Sequence, residues 1–178
     1  MRDDFELYIV SIIDCIPQYI YEGLLSVFCL GVVLFMALGL KKAYRHITLL
    51  LLIEYIALIY CSTFIFRDVN EIRKYNYHLF WSYSETNLFV ENVMNVVVFV
   101  PIGLLLAMGI PHLKWWQVLL IGAGISVSIE ALQFVFMKGF SELDDVFHNT
   151  LGCVIGVGVY SLIKYGYVKF TKRSMASN

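Results

Sequence analysis

Five stretches of about twenty mostly apolar residues constrain this chain more than any other feature. They cover residues 19–40, 47–66, 88–109, 115–137 and 146–165. A helix rises about 1.5 Å per residue, so each stretch can cross a hydrocarbon core of about 30 Å. Inside a bilayer every main-chain N–H and C=O must be satisfied without water, which leaves helices or closed barrels. No strand-like alternation of apolar and polar residues runs through these stretches, so helices are expected. Composition agrees. The chain is 60% hydrophobic and 15% charged, whereas a soluble domain is about half apolar and roughly a quarter charged.

The sequence therefore predicts an all-α fold: a polytopic transmembrane helical bundle of about five spans, forming a single membrane domain over residues 1–178. Residues 5–16 are apolar but too short to cross, and Pro17 follows them. They read as a short interfacial helix within the N-terminal segment 1–18, and residues 166–178 read as a basic tail. The opening MRDDFELY is acidic and has no basic n-region, so it does not read as a cleaved signal peptide. The formal net charge of −1 gives no reason to expect a nucleic-acid surface. Cys15, Cys29, Cys61 and Cys153 lie in or beside apolar runs with no CxxC pair, and read as small buried hydrophobes.

Lysine and arginine set the expected orientation. With the N-terminus outside, the inner segments hold Lys41, Lys42, Arg45, Lys114, Lys164, Lys169, Lys172 and Arg173. The outer segments hold Arg2, Arg67, Arg73, Lys74 and Lys138. The excess favours an N-out, C-in topology. Tyr77, Trp81 and Tyr83, in the loop between the second and third spans, suit the headgroup zone.

The polar residues within the spans follow helical spacing. Asp145, Asn149, Gly152 and Gly156 share one face, and the last two form a GxxxG, which lets a neighbouring helix approach closely. Gly122, Ser126, Glu130 and Gln133 share a face of the fourth span, and Glu91 and Asn95 share one on the third. Glu130 and Asn95 each lie roughly 10 Å below the outer surface, at 1.5 Å per residue. A carboxylate at that depth costs several kcal/mol unless it is protonated, paired or wetted. The simplest arrangement gathers Glu91, Asn95, Glu130, Gln133, Asp145 and Asn149 around a pocket open to the outside, with Arg67 supplying a cation. Buried amides can instead serve only as interhelical glue, worth about 1 kcal/mol each, but glue needs no charge, and Glu130 carries one. His148 points about 100° away from Asn149, and the acidic pair Asp144 and Asp145 also suits a helix N-terminus.

Three motifs, NVVVFVPIGLLL (95–106), SIEALQF (128–134) and ELDDVFHNTLGCVIG (142–156), together with FIFRD (64–68), resemble the VanZ-like family of bacterial membrane proteins. The resemblance covers roughly residues 47–165. It implies a small multi-pass protein of the bacterial cytoplasmic membrane, in a family named for a protein that lowers sensitivity to the glycopeptide teicoplanin. Carried over by position, the characteristic residues are Arg67, Asn95, Pro101, Gly103, Glu130, Gln133, Asp144, Asp145, Asn149 and Gly152. Many members carry an arginine just before the acidic motif. This chain reads KGF there, and Lys138 stands in without a bidentate fork.

The expected function is to bind or modify an outer-leaflet lipid headgroup or a lipid-linked cell-wall precursor. Arg67 and Lys138 would hold phosphate, while Glu91, Asn95, Gln133, Asp144 and Asn149 would contact the rest. Glu130 and Asp145 are the candidate catalytic residues. One alternative is a metal-dependent membrane enzyme acting on such a lipid, its ion held by Glu130 with Asp144 or Asp145 and helped by Asn149. Another is a proton-coupled carrier using Glu130.

Overall fold

The computed structural model describes residue 31 and residues 44–65, 67–84 and 86–176. Apart from residue 31, the first expected span and the interfacial helix at 5–16 lie outside the described residues. Among the described residues, the expected all-α architecture is present as four helices long and apolar enough to cross a membrane. Helix α1 covers Tyr44–Tyr60 and continues as a π-helical turn, Cys61–Ile65. Helix α2 covers Thr86–Gly109, α3 covers Trp115–Phe136, and α4 covers Leu143–Ala176. Short additions interrupt the helices: a 3-10 turn, Trp81–Ser84, and two-residue strands β1 (Tyr75–Asn76) and β2 (Ser141–Glu142), paired in parallel. Two residues are too few for alternation to reveal a strand, which is why the pair was not expected. The last helix also runs on to Ala176, through most of the segment read as a tail.

Burial is inverted relative to a soluble domain. Large apolar side chains such as Leu50, Val97, Leu120 and Leu162 are exposed, while Ser126, Asp144 and Asn149 are buried. That pattern suits a surrounding apolar solvent, in which the protein interior must supply what polar groups need. Of the cysteines within the described residues, Cys61 and Cys153 are free thiols and Cys153 is buried.

The chain divides into two compact units, Met1–Tyr77 with Val127–Leu143, and His78–Ser126 with Asp144–Asn178. In the first, Leu51, Leu52, Leu58, Ile59 and Ile129 are buried, and the Tyr60 hydroxyl bonds the Ser128 hydroxyl. Ser62 and Thr63 hydroxyls both bond the Ile59 carbonyl. Such back-bonding competes with the regular helical ladder and accompanies the wider π turn. Helix α3 stops because Met137 adopts a left-handed conformation (φ 55°), and the Lys138 N–H returns to the Gln133 carbonyl at 2.9 Å. This is a Schellman closure with methionine where glycine is usual. The chain beyond it is held by main-chain bonds from Asn70 N–H to Met137 O (2.7 Å) and from Ser141 N–H to Lys74 O (3.1 Å).

In the second unit, Phe99, Ile102, Leu105, Leu106, Val118 and Cys153 are buried. Helices α2 and α4 touch backbone to backbone. A Cβ on Gly152 would collide with the Val96 carbonyl, and one on Gly156 with the Val100 carbonyl. The close-packing face expected from the GxxxG spacing is thus the one that meets α2. Gly158, on the same helix, has nothing within 4 Å of a would-be Cβ. Gly156→Ala should therefore lower the thermal midpoint in detergent, by overpacking worth about 1–3 kcal/mol. Gly158→Ala should leave it unchanged or raise it through helix propensity, by up to about 1 kcal/mol. Equal midpoints for the two variants would refute the close-approach account.

Candidate functional site

The sequence-predicted residues fall into two clusters, one in each unit. In the first unit, Glu130 and Gln133 stand one turn apart on α3 and both are buried. The Glu142 main-chain N–H donates to Glu130 Oε2 at 2.8 Å. Gln133 Nε2 donates to the Thr63 carbonyl at 2.7 Å. That carbonyl lies in the last turn of the first helix, where C=O groups lack helical partners. A carbonyl only accepts, so the glutamine must present its NH2 there. Its oxygen, Gln133 Oε1, is buried and has no hydrogen-bond partner.

The basic residues of this cluster are at its margin. Lys138 Nζ donates to the Ile65 carbonyl at 2.8 Å and stands 5.7 Å from the centre of the Phe64 ring. It thus caps a helix C-terminus, where a cation is favoured. Arg67 is exposed, and its guanidinium crosses Gly139: a Cβ there would lie 2.6 Å from one terminal nitrogen. Gly139 also has φ +88°, and its carbonyl accepts from Asn70 Nδ2 at 2.6 Å. The positive φ is what calls for glycine here. Glu142, which sequence reasoning noted only as part of an acidic run, is buried beside Glu130. The adjoining Ser141 is buried too, a signal that emerges only once the parallel strand pair is seen.

In the second unit, Asn95 on α2 donates from Nδ2 to Asp145 Oδ1 on α4 at 2.7 Å. Asn149, one turn further along α4, donates from Nδ2 to Ser126 Oγ on α3 at 2.8 Å. Asn149 Oδ1 is buried without a hydrogen-bond partner. Three helices thus contribute to one polar cluster of Asn95, Ser126, Asp145 and Asn149. Glu91 is exposed, while its neighbour Asn92 is buried and donates to Ser82 Oγ at 2.8 Å. Asn92 and Asn95 carry the inward face of α2 at this level, and Glu91 stands on its flank.

Asp144 has a different task from Asp145. It is 0% exposed. Its Oδ1 accepts the Phe80 N–H, and its Oδ2 accepts the Ser82 N–H at 3.2 Å and the Ser82 hydroxyl at 2.6 Å. Phe80 is held at φ 64°, a conformation that costs a bulky residue on the order of 1–2 kcal/mol. The carboxylate therefore fixes the turn 80–84 against the start of α4. Sequence reasoning missed Ser82 because nothing in the long loop between α1 and α2 marks one serine as the partner of a distant aspartate. Among the described residues no group of three or more His, Cys, Asp or Glu could hold a metal ion. Asp144→Ala should lower stability by about 3 kcal/mol, since it strands two buried donors of Ser82 at about 1–3 kcal/mol each and the part-buried Phe80 N–H. The same change should cost about 1–3 kcal/mol less in a Ser82→Ala background, where one of the three donors is already gone. Additive losses in that double-mutant cycle, measured by chemical or thermal unfolding in detergent, would separate the two residues.

The VanZ/LLP1 family profile matches residues 47–164. Among curated proteins, Protein VanZ of Enterococcus faecium is 30% identical over 97 residues, which cover 52% of this chain and 60% of that protein. The alignment thus spans less than two thirds of the relative's length. No solved structure matches the chain. The profile takes in α1, α2, α3, both polar clusters and the membrane-crossing part of α4, and on that extent the chain belongs to the VanZ/LLP1 family.

Proposed function

We propose that this protein binds or modifies an outer-leaflet lipid headgroup or a lipid-linked cell-wall precursor, and thereby alters sensitivity to glycopeptides such as teicoplanin. The orientation that goes with this reading is N-terminus outside and C-terminus inside the bacterial cytoplasmic membrane. The observation that carries it is the pair of buried amide oxygens, Gln133 Oε1 and Asn149 Oδ1, without hydrogen-bond partners. A buried unsatisfied acceptor costs about 1–3 kcal/mol. Interhelical glue gains nothing by keeping one, whereas a site for a hydroxyl- or amide-bearing ligand does. Each of these oxygens has a carboxylate on the same helix, Glu130 three residues before Gln133 and Asp145 four residues before Asn149. Both clusters therefore favour ligand groups that donate hydrogen bonds, such as the hydroxyls and amides of sugars and peptides. Arg67, exposed beside Gly139, is the cation available for a phosphate.

The test uses a host in which the protein confers glycopeptide protection. Glu130→Gln and Asp145→Asn keep side-chain size and an acceptor oxygen, so membrane levels should stay near wild type while protection falls at least several-fold. Full protection in both variants at normal protein levels would overturn the reading. Mass spectrometry of lipids and wall precursors, with and without the protein, distinguishes the two modes: a changed species signifies modification, and an unchanged set signifies binding.

A further inference from the structure

One array lies outside both clusters. Tyr83 Oη stands 2.8 Å from His148 Nε2, and His148 Nδ1 stands 2.6 Å from the Asp144 carbonyl oxygen. The carbonyl can only accept, so Nδ1 carries a hydrogen and donates it. In the neutral imidazole Nε2 is then bare, and the Tyr83 hydroxyl must donate to it. The tautomer follows from the partners. His148 is 3% exposed, whereas Tyr83 is 52% exposed. Phe147 meets the His148 ring edge-on at 5.3 Å, and Phe80 meets both Phe147 (5.2 Å) and Tyr83 (5.8 Å) edge-on. An oriented, shielded base thus holds the proton-bearing side of an accessible phenol.

We infer that Tyr83 and His148 form a nucleophile–base pair whose electrophile is a phosphoanhydride carried by a lipid. His148 acts through Tyr83, as a base at one defined atom. The class of electrophile follows from leaving-group strength. Phenol has a pKa of about 10, an alkyl alcohol lies near water at about 15.7, and a phosphate monoester's second ionisation is about 6. A phenolate displaces the weaker base, which excludes simple alkyl esters and admits diphosphates. In the step, the Tyr83 oxygen bonds to the terminal phosphorus as its proton passes to His148 Nε2. The bridging P–O bond breaks, its electron pair leaves with the lipid phosphate monoester, and the terminal phosphoryl group stays on Tyr83. The imidazolium then returns its proton to solvent or to that phosphate. The exposed aromatic edges of Phe80 and Phe147 suit a substrate with an apolar tail.

Two other tyrosines serve as internal standards, because Tyr75 and Tyr77 are 56% and 54% exposed, matching Tyr83. The full-length protein in lipid vesicles is treated with an aryl sulfonyl fluoride, and modification of each tyrosine is followed by peptide mass spectrometry. Tyr83 should react at least about tenfold faster than either standard, a threshold set below the roughly 10²–10⁴-fold typical of general-base catalysis. His148→Gln keeps hydrogen-bonding capacity but cannot take the proton, and should bring Tyr83 down to the rate of the standards, whose own rates stay unchanged as a check on folding. Equal rates for the three tyrosines in the wild type would overturn the pair, as would an advantage for Tyr83 that persists in His148→Gln. The substrate class is tested with farnesyl diphosphate: farnesyl monophosphate should be released by the wild type, with a phosphoryl group left on Tyr83, and its release should be lost in Tyr83→Phe. No release by the wild type, or equal release by the variant, would overturn that assignment.

Discussion

A carboxylate among apolar helices is tolerable only if the protein itself supplies its hydrogen bonds, and that requirement organises everything else here. Asp144 shows it most fully, with its two oxygens taken by three donors from Phe80 and Ser82. Ser82 in turn receives Asn92, so a loop, the start of α4 and a turn of α2 are tied through one buried acid. Glu130 and Asp145 are met by a main-chain amide and an asparagine respectively, among other contacts. What sets their surroundings apart is an amide oxygen on the same helix, Gln133 Oε1 or Asn149 Oδ1, that is buried without a hydrogen-bond partner.

Much of this was legible from spacing. Helical periodicity placed Asp145, Asn149, Gly152 and Gly156 on one face, and that face carries both the polar contacts and the backbone approach to α2. Both signals depend only on positions along one helix. Span boundaries came within a few residues for the three middle helices because loss of apolar character and loss of helix coincide there. They parted at α4, whose helix continues past the apolar run. Hydrophobicity marks where a membrane segment ends, whereas helix propensity decides where the helix ends.

What escaped sequence reading was settled by long-range partners or by backbone conformation. Lys138 read as a phosphate ligand, and nothing in the sequence showed that the chain reversal at Met137 brings it to the end of α1, where it also donates to the Ile65 carbonyl. Glu91 shares a helical face with Asn95 on paper, yet Asn92 is the buried neighbour because the loop presents Ser82 on that side. Tyr83 read as an interfacial anchor and His148 as a residue facing away from the site. Each description was compatible with the sequence, and only their meeting across sixty-five positions gives them a joint chemistry.

The length of α4 has a mechanical consequence. At about 1.5 Å per residue its 34 residues extend about 51 Å, against a hydrocarbon core of about 30 Å. Its start is pinned by Asp144, so most of the surplus, on the order of 20 Å, accrues at the other end. The helix must lean steeply or extend beyond the hydrocarbon core at that end. Either way, its tilt sets the depth at which Asp145, His148 and Asn149 stand, because all three ride on the same rigid rod.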